Sequence, residues 1–86
     1  MEPKIHKTDN KKYNLEEMQH LVGGYIQVIE LHKIKSQMII NEEGKLIGLP
    51  KNDNATKMFH EEYPHLSEYD YICGDAIILS GKARLT

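Results

Sequence analysis

The chain has little of what most specialised proteins are built from: no tryptophan, one phenylalanine, one cysteine and no excess of positive charge. A lone Cys73 excludes an internal disulfide and any zinc site made of several thiolates. The longest unbroken apolar run, Ala76 to Leu79, falls far short of the about 20 apolar residues that a membrane-spanning helix needs, so no membrane segment is expected. Met1 to Lys12 mixes lysines with acids and lacks the apolar centre of a secretion signal, which makes the cytoplasm the expected location. The net charge of -2, from 11 basic and 13 acidic side chains, argues against a protein that grips nucleic acid by neutralising phosphates. Residues 1 to 13 carry +2 and the rest -4. Between Glu61 and Asp75 there are five acids and no Lys or Arg, a stretch that repels polyanions.

What is present fits one small domain. A chain of 86 residues has room for a single core and modest stability, so association into a homo-oligomer that hides a sheet edge is expected. Asn14 followed by Glu17 is a capping-box pair opening a helix whose inner face is Leu15, Met18, Leu21 and Val22, and Gly23-Gly24 closes it. Tyr25 to Leu31 has apolar residues on both sides and reads as an interior strand. Gln37 to Asn41 and Lys45 to Leu49 read as a hairpin joined by Glu42-Glu43-Gly44, with Gly44 left-handed. Asn52 or Asn54 caps a second helix carrying Ala55, Met58, Phe59 and Tyr63 on one face, stopped by Pro64. His65 to Asp70 reads as a loop, Tyr71 to Ser80 as a last strand with a bulge at Gly74, and Lys82 to Thr86 as a tail. Ile5 belongs to a short leading strand. The expected order is β-α-β-β-β-α-β, an α+β domain with a four- to five-stranded, mostly antiparallel sheet and two helices.

No catalytic constellation emerges from the pattern. His60 and His65 are five apart with Pro64 between them, which does not give two ligands on one helical face, so no metal is expected. Cys73 has no partnering base in sequence, and Ser36, Ser67 and Ser80 lack a nucleophile-elbow pattern. Gly23-Gly24 follows a helix, so the negative end of the helix dipole disfavours phosphate there. The start of the second helix is different, because free backbone N–H groups and the positive dipole end favour an anion. Lys51, Asn52, Asn54, Thr56 and Lys57 surround that point and form the candidate binding set, with Tyr25 as a residue able to stack on a base. Tyr63, Tyr69 and Tyr71 gather near the acidic stretch, and Tyr13 and Tyr25 flank the first helix.

Four segments in order, Leu21-Val22-Gly23-Gly24-Tyr25-Ile26, Asn41-Glu42-Glu43-Gly44-Lys45, Leu49-Pro50-Lys51-Asn52-Asp53-Asn54-Ala55-Thr56 and Gly74-Asp75-Ala76-Ile77-Ile78-Leu79, resemble a family of small domains of unknown function encoded mainly by phages, their bacterial hosts and some large viruses. The likeness spans roughly residues 14 to 80. It implies a viral or mobile-element origin and action in a host cytoplasm, and it supplies no catalytic residues. Together with the helix start, it leads to the expectation of a cofactor-free, non-catalytic binding protein that sequesters a small phosphorylated ligand, such as a host nucleotide immune signal, as an anti-defence device. The alternative expectation is a protein–protein interaction module that inhibits or recruits a host protein through the acidic, Tyr-containing face from Glu61 to Asp75. A nucleotide hydrolase is the third reading.

Overall fold

The computed structural model describes residues 2–85 and has a four-stranded mixed sheet with one helix on each face, an α+β domain. In chain order the elements are β1 (Ile5–Thr8), α1 (Leu15–Val22), β2 (Ile26–Leu31), β3 (Ser36–Asn41), α2 (Asp53–Glu62) and β4 (Ala76–Ser80). Three single-turn 3-10 segments, His32–Ile34, Pro64–Leu66 and Gly81–Ala83, serve as connectors. The strand order is β1-β4-β3-β2, with β1 parallel to β4 and the other two pairings antiparallel.

The period-2 alternation of the strands divides the core into two layers. Leu31, Met38, Ile40, Ala76 and Ile78 face α2, where Ala55 and Phe59 cover them. Ile39, Ile77 and Leu79 face α1, where Met18 and Val22 cover them. β3 and β4 are therefore buried on both faces: Met38 to Ile40 and Ala76 to Leu79 are apolar runs, and the polar Ser36, Gln37 and Asn41 of β3 are buried with hydrogen-bond partners.

Helix α1 forms as its local chemistry dictates. The Asn14 side chain accepts from the Glu17 N–H at 2.8 Å, and the Glu17 carboxylate accepts from the Asn14 N–H at 3.0 Å, which completes the capping box. Gly23 closes the helix at φ +81° and donates its N–H to the Gln19 carbonyl.

Several expectations are corrected. The hairpin of Gln37 to Asn41 with Lys45 to Leu49 does not form; β3 pairs with β2 and β4, and residues 42–48 coil into consecutive turns. The cause is the buried Asn41, whose carboxamide oxygen accepts from the Glu43 N–H at 2.8 Å while its amide donates to the Val22 carbonyl at 3.1 Å, turning the chain as soon as β3 ends. Gly48, not Gly44, takes the left-handed conformation; Gly44 is required because a Cβ there would sit 2.9 Å from the Cys73 carbonyl oxygen. β2 is an edge strand, and Val28 lies exposed on it. The last strand begins at Ala76, because Gly74 is a turn residue at φ +85° and not a bulge. Lys82 to Thr86 is not a frayed tail over its described part: Ala83 is buried against α1's layer, and the Leu85 N–H donates to Gln37 Oε1 at 2.6 Å.

Candidate functional site

One helix about 10 Å across cannot cover a four-stranded sheet whose strands lie about 4.8 Å apart. On the α2 face the uncovered part lies beside β2. There a cleft of about 570 Å³ opens between the sheet and the chain that links α2 to β4. Its floor is Ile29, Ile40, Phe59 and Ile72, and its far wall is Tyr63, Leu66 and Tyr71. Glu42, Glu43, Lys45 and Asp70 stand at one end, and Gln27, Val28 and Glu30 belong to the strand that bounds it.

The electrostatics of the cleft are acidic. Among the described residues lining it, Lys45 is the one Lys or Arg, and its ammonium is paired with Asp70. That hydrogen bond from Lys45 holds the Asp70 carboxyl below the usual carboxylate range, with burial opposing and the Tyr71 N–H and the nearby His60 assisting. His60 Nε2 lies 2.7 Å from the Asp70 carbonyl oxygen and donates to it, so this histidine fixes the wall of the cleft. The Lys45 ammonium also sits 5.0 Å from the centre of the Tyr71 ring. Tyr63 donates its hydroxyl to the Glu30 carbonyl at 2.7 Å; burial, then the charges of Glu62 and Glu30, push that phenol above its ordinary value. Cys73 lies at the cleft's inner end, and burial pushes its thiol up, partly offset by Lys45 and Lys51.

The residues expected to bind an anion are divided by the structure. Asn52, 2% exposed, is the N-cap of α2: its side-chain oxygen accepts from the Ala55 N–H at 3.0 Å, and its amide donates to the Gly74 and Lys4 carbonyls at 2.9 and 3.2 Å. Thr56 is buried, with its hydroxyl engaged by the backbone of Ile72. Lys51, Asn54 and Lys57 are exposed, and a shallow depression joins Lys51, Thr56 and Lys57 to Asp53, His60 and Glu61. Two acids thus accompany the two lysines there. Tyr25 is 69% exposed and lies apart from this group, beside Gly24, Asn41 and Ile47. Among the described residues no cluster of three His, Cys, Asp or Glu is arranged to hold a metal ion.

Of the tyrosines near the acidic stretch, Tyr63 and Tyr71 line the cleft and Tyr69 projects into solvent. The β2 and β3 side of the cleft, Gln27, Ile29, Ile40, Glu42 and Glu43, is absent from the sequence-based candidates. The usable signal was the polar Gln27 between apolar neighbours, which marks a half-covered strand.

The fold and cleft define a small three-layer α+β domain with a partly uncovered sheet edge and no helix, among the described residues, long and apolar enough to cross a membrane. The chain belongs to the DUF3846 family, a domain of unknown function whose model matches residues 1–84. No curated protein and no solved structure matches it.

Proposed function

We propose that this protein is a non-catalytic binding domain that engages another polypeptide through the cleft beside β2. The observation that carries this reading is the cleft's composition: an apolar floor of Ile29, Ile40, Phe59 and Ile72 with Glu42 and Glu43 at one end, where Lys45 and Asp70 neutralise each other. Apolar contact supplies affinity and the acidic end selects against anions. A small phosphorylated ligand is less well served, because Asn52 and Thr56 at the start of α2 are satisfied internally and Asp53 and Glu61 share the depression with Lys51 and Lys57. The phage-type origin implied by the ordered sequence segments agrees with a small module acting on a host protein.

The test is selection of displayed peptides on the immobilised domain. Enriched peptides are expected to bind wild type and Lys57→Glu equally and to bind Gln27→Trp at least tenfold more weakly, since Gln27 is an exposed residue at the cleft. Failure to enrich any peptide overturns the proposal. So does a nucleotide or phosphorylated sugar that raises the melting temperature of wild type but not of Lys57→Glu.

A further inference from the structure

The antiparallel ladder between β2 and β3 sets which backbone groups of β2 are free. Residues of an antiparallel pair alternate between those bonded to the neighbour and those turned away from it. The Tyr25 carbonyl accepts from the Glu42 N–H at 2.8 Å, so Tyr25, Gln27, Ile29 and Leu31 direct their backbone groups at β3. Ile26, Val28 and Glu30 direct theirs outward. The Glu30 carbonyl obeys this parity, since it is the one that the Tyr63 hydroxyl reaches. Among the described residues, no other hydrogen bond reaches the outward groups of these three residues.

Natural edges are blunted by lysine, proline, bulges or shortness. β1 follows that rule, with four residues, Lys7 within it and Pro3 and Lys4 before it. β2 has six residues, no bulge, no proline and no lysine, and its one charge is the acid Glu30. An open edge of this kind, running along an apolar cleft, is the geometry by which a sheet accepts an added strand: main-chain bonds give affinity, and alternate side chains fall into the cleft.

Resting on the cleft as the docking site, we propose that its occupant is an extended, basic segment of a partner protein that adds to the sheet as a fifth strand on β2. The charge is argued from Glu30 on the edge and Glu42 and Glu43 at the cleft's end, since Lys45 and Asp70 there neutralise each other. Apolar residues of the incoming strand face Ile29, Phe59, Tyr63 and Leu66, its alternate lysines or arginines fall on the opposite face of the sheet beside the Glu30 carboxylate, which accepts from Gln37, and a basic residue where the segment passes the cleft's end meets Glu42 and Glu43. The Tyr63 hydroxyl caps the Glu30 carbonyl until the segment arrives.

The experiment uses the isotope-labelled full chain and three synthetic nine-residue peptides: alternating Val and Lys, alternating Val and Glu, and the Val-Lys peptide methylated on every second amide nitrogen. The Val-Lys peptide is expected to slow amide exchange at Ile26, Val28 and Glu30, to bind at least tenfold more tightly than its acidic counterpart, and to weaken as salt rises. Methylation of the bonding amides is expected to abolish binding. Val28→Pro, which removes an outward N–H at a position where an edge strand tolerates proline, is expected to retain its fold and lose the peptide. Binding that shifts Phe59 and Tyr63 signals without protecting the β2 amides overturns strand addition and leaves the cleft reading standing. Protection of Val28 that appears without peptide and grows with protein concentration assigns the edge to a second copy and overturns the proposal. Equal binding of the acidic peptide overturns the charge argument.

Discussion

The Thr56 hydroxyl closes a two-point contact with Ile72, donating to its carbonyl at 3.3 Å and accepting from its N–H at 2.9 Å. A side chain on α2 thereby holds both polar groups of a backbone unit whose carbonyl also accepts from the Asn52 N–H at 2.8 Å. Thr56→Val keeps the shape and removes both bonds. The carbonyl keeps its bond from the Asn52 N–H, so the buried Ile72 N–H alone is left unpaired, at a cost of about 1.5 kcal/mol that lowers the melting temperature by roughly 8 °C for a domain of this size. Calorimetry of the variant checks this; an unchanged melting temperature would show that Ile72 finds other partners.

Asn52 performs a similar task for three segments, capping α2 while holding the carbonyls of Lys4 and Gly74. Asn52→Ala is expected to destabilise by about 2 kcal/mol, from the lost cap and the unpaired Gly74 carbonyl, the Lys4 carbonyl keeping its bond from the Ala76 N–H. Asn52→Asp preserves the cap but turns a carboxylate towards two carbonyl oxygens. Its deficit relative to wild type is therefore expected to exceed that of alanine at pH 7 and to shrink as the pH falls and the buried acid takes up a proton. Urea titrations at several pH values separate the two variants.

Asp75 ties the start of β1 to the start of β4, accepting from the Lys4 N–H at 3.0 Å and lying 3.0 Å from His6 Nε2. Burial works against its charge, but the Lys4 amide, the His6 hydrogen bond and the nearby positive charges outweigh it, so the carboxyl lies below its ordinary value. A carboxyl whose folded pKa is lowered stabilises fully above the unfolded value, about 4, and loses that contribution as the pH falls through the folded value. Asp75→Asn is expected to be less stable than wild type at pH 7 and to converge with it in acid. A deficit that stays constant from pH 7 to pH 2 would place the loss in packing instead.

Cys73 is buried and its thiol is pushed up, so the native protein at pH 7 is expected to react with iodoacetamide far more slowly than a free thiol. Full reactivity returns in denaturant. Rapid labelling of the folded chain would mean that the inner end of the cleft opens.

The helices were legible in the sequence because their signals are local. Asn14 with Glu17, and Asn52 three residues before Ala55, announce caps that need nothing from the rest of the chain. The strands β3 and β4 were legible as apolar runs, although their partners were not. Glu42-Glu43-Gly44 has the composition of a hairpin loop, yet the Asn41 side chain, bonded to Val22 nineteen residues earlier, converts it into coiled turns. Pairing of β1 with β4 joins residues about 70 apart, and no local pattern records it.

The candidate site divides in the same way. The wall from Glu61 to Asp75 was visible as an acidic, tyrosine-containing stretch, whereas the opposite side and most of the floor come from residues 27–30, 32, 40–46 and 59. Asn52 and Thr56 stood out because they are polar. Polarity records the capacity for hydrogen bonds without naming the partner, and here the partners belong to the chain itself.

The strand order β1-β4-β3-β2 also bears on how the molecule is made. The last strand to leave the ribosome is one that must slot between the first and the third. Until residue 80 emerges, Ile5–Thr8 has no neighbour and one flank of Ser36–Asn41 stands bare. Such late, long-range closure slows folding and leaves the nascent chain open to mispairing with other polypeptides, so a ribosome stalled before Ala76 holds a chain that cannot complete its sheet.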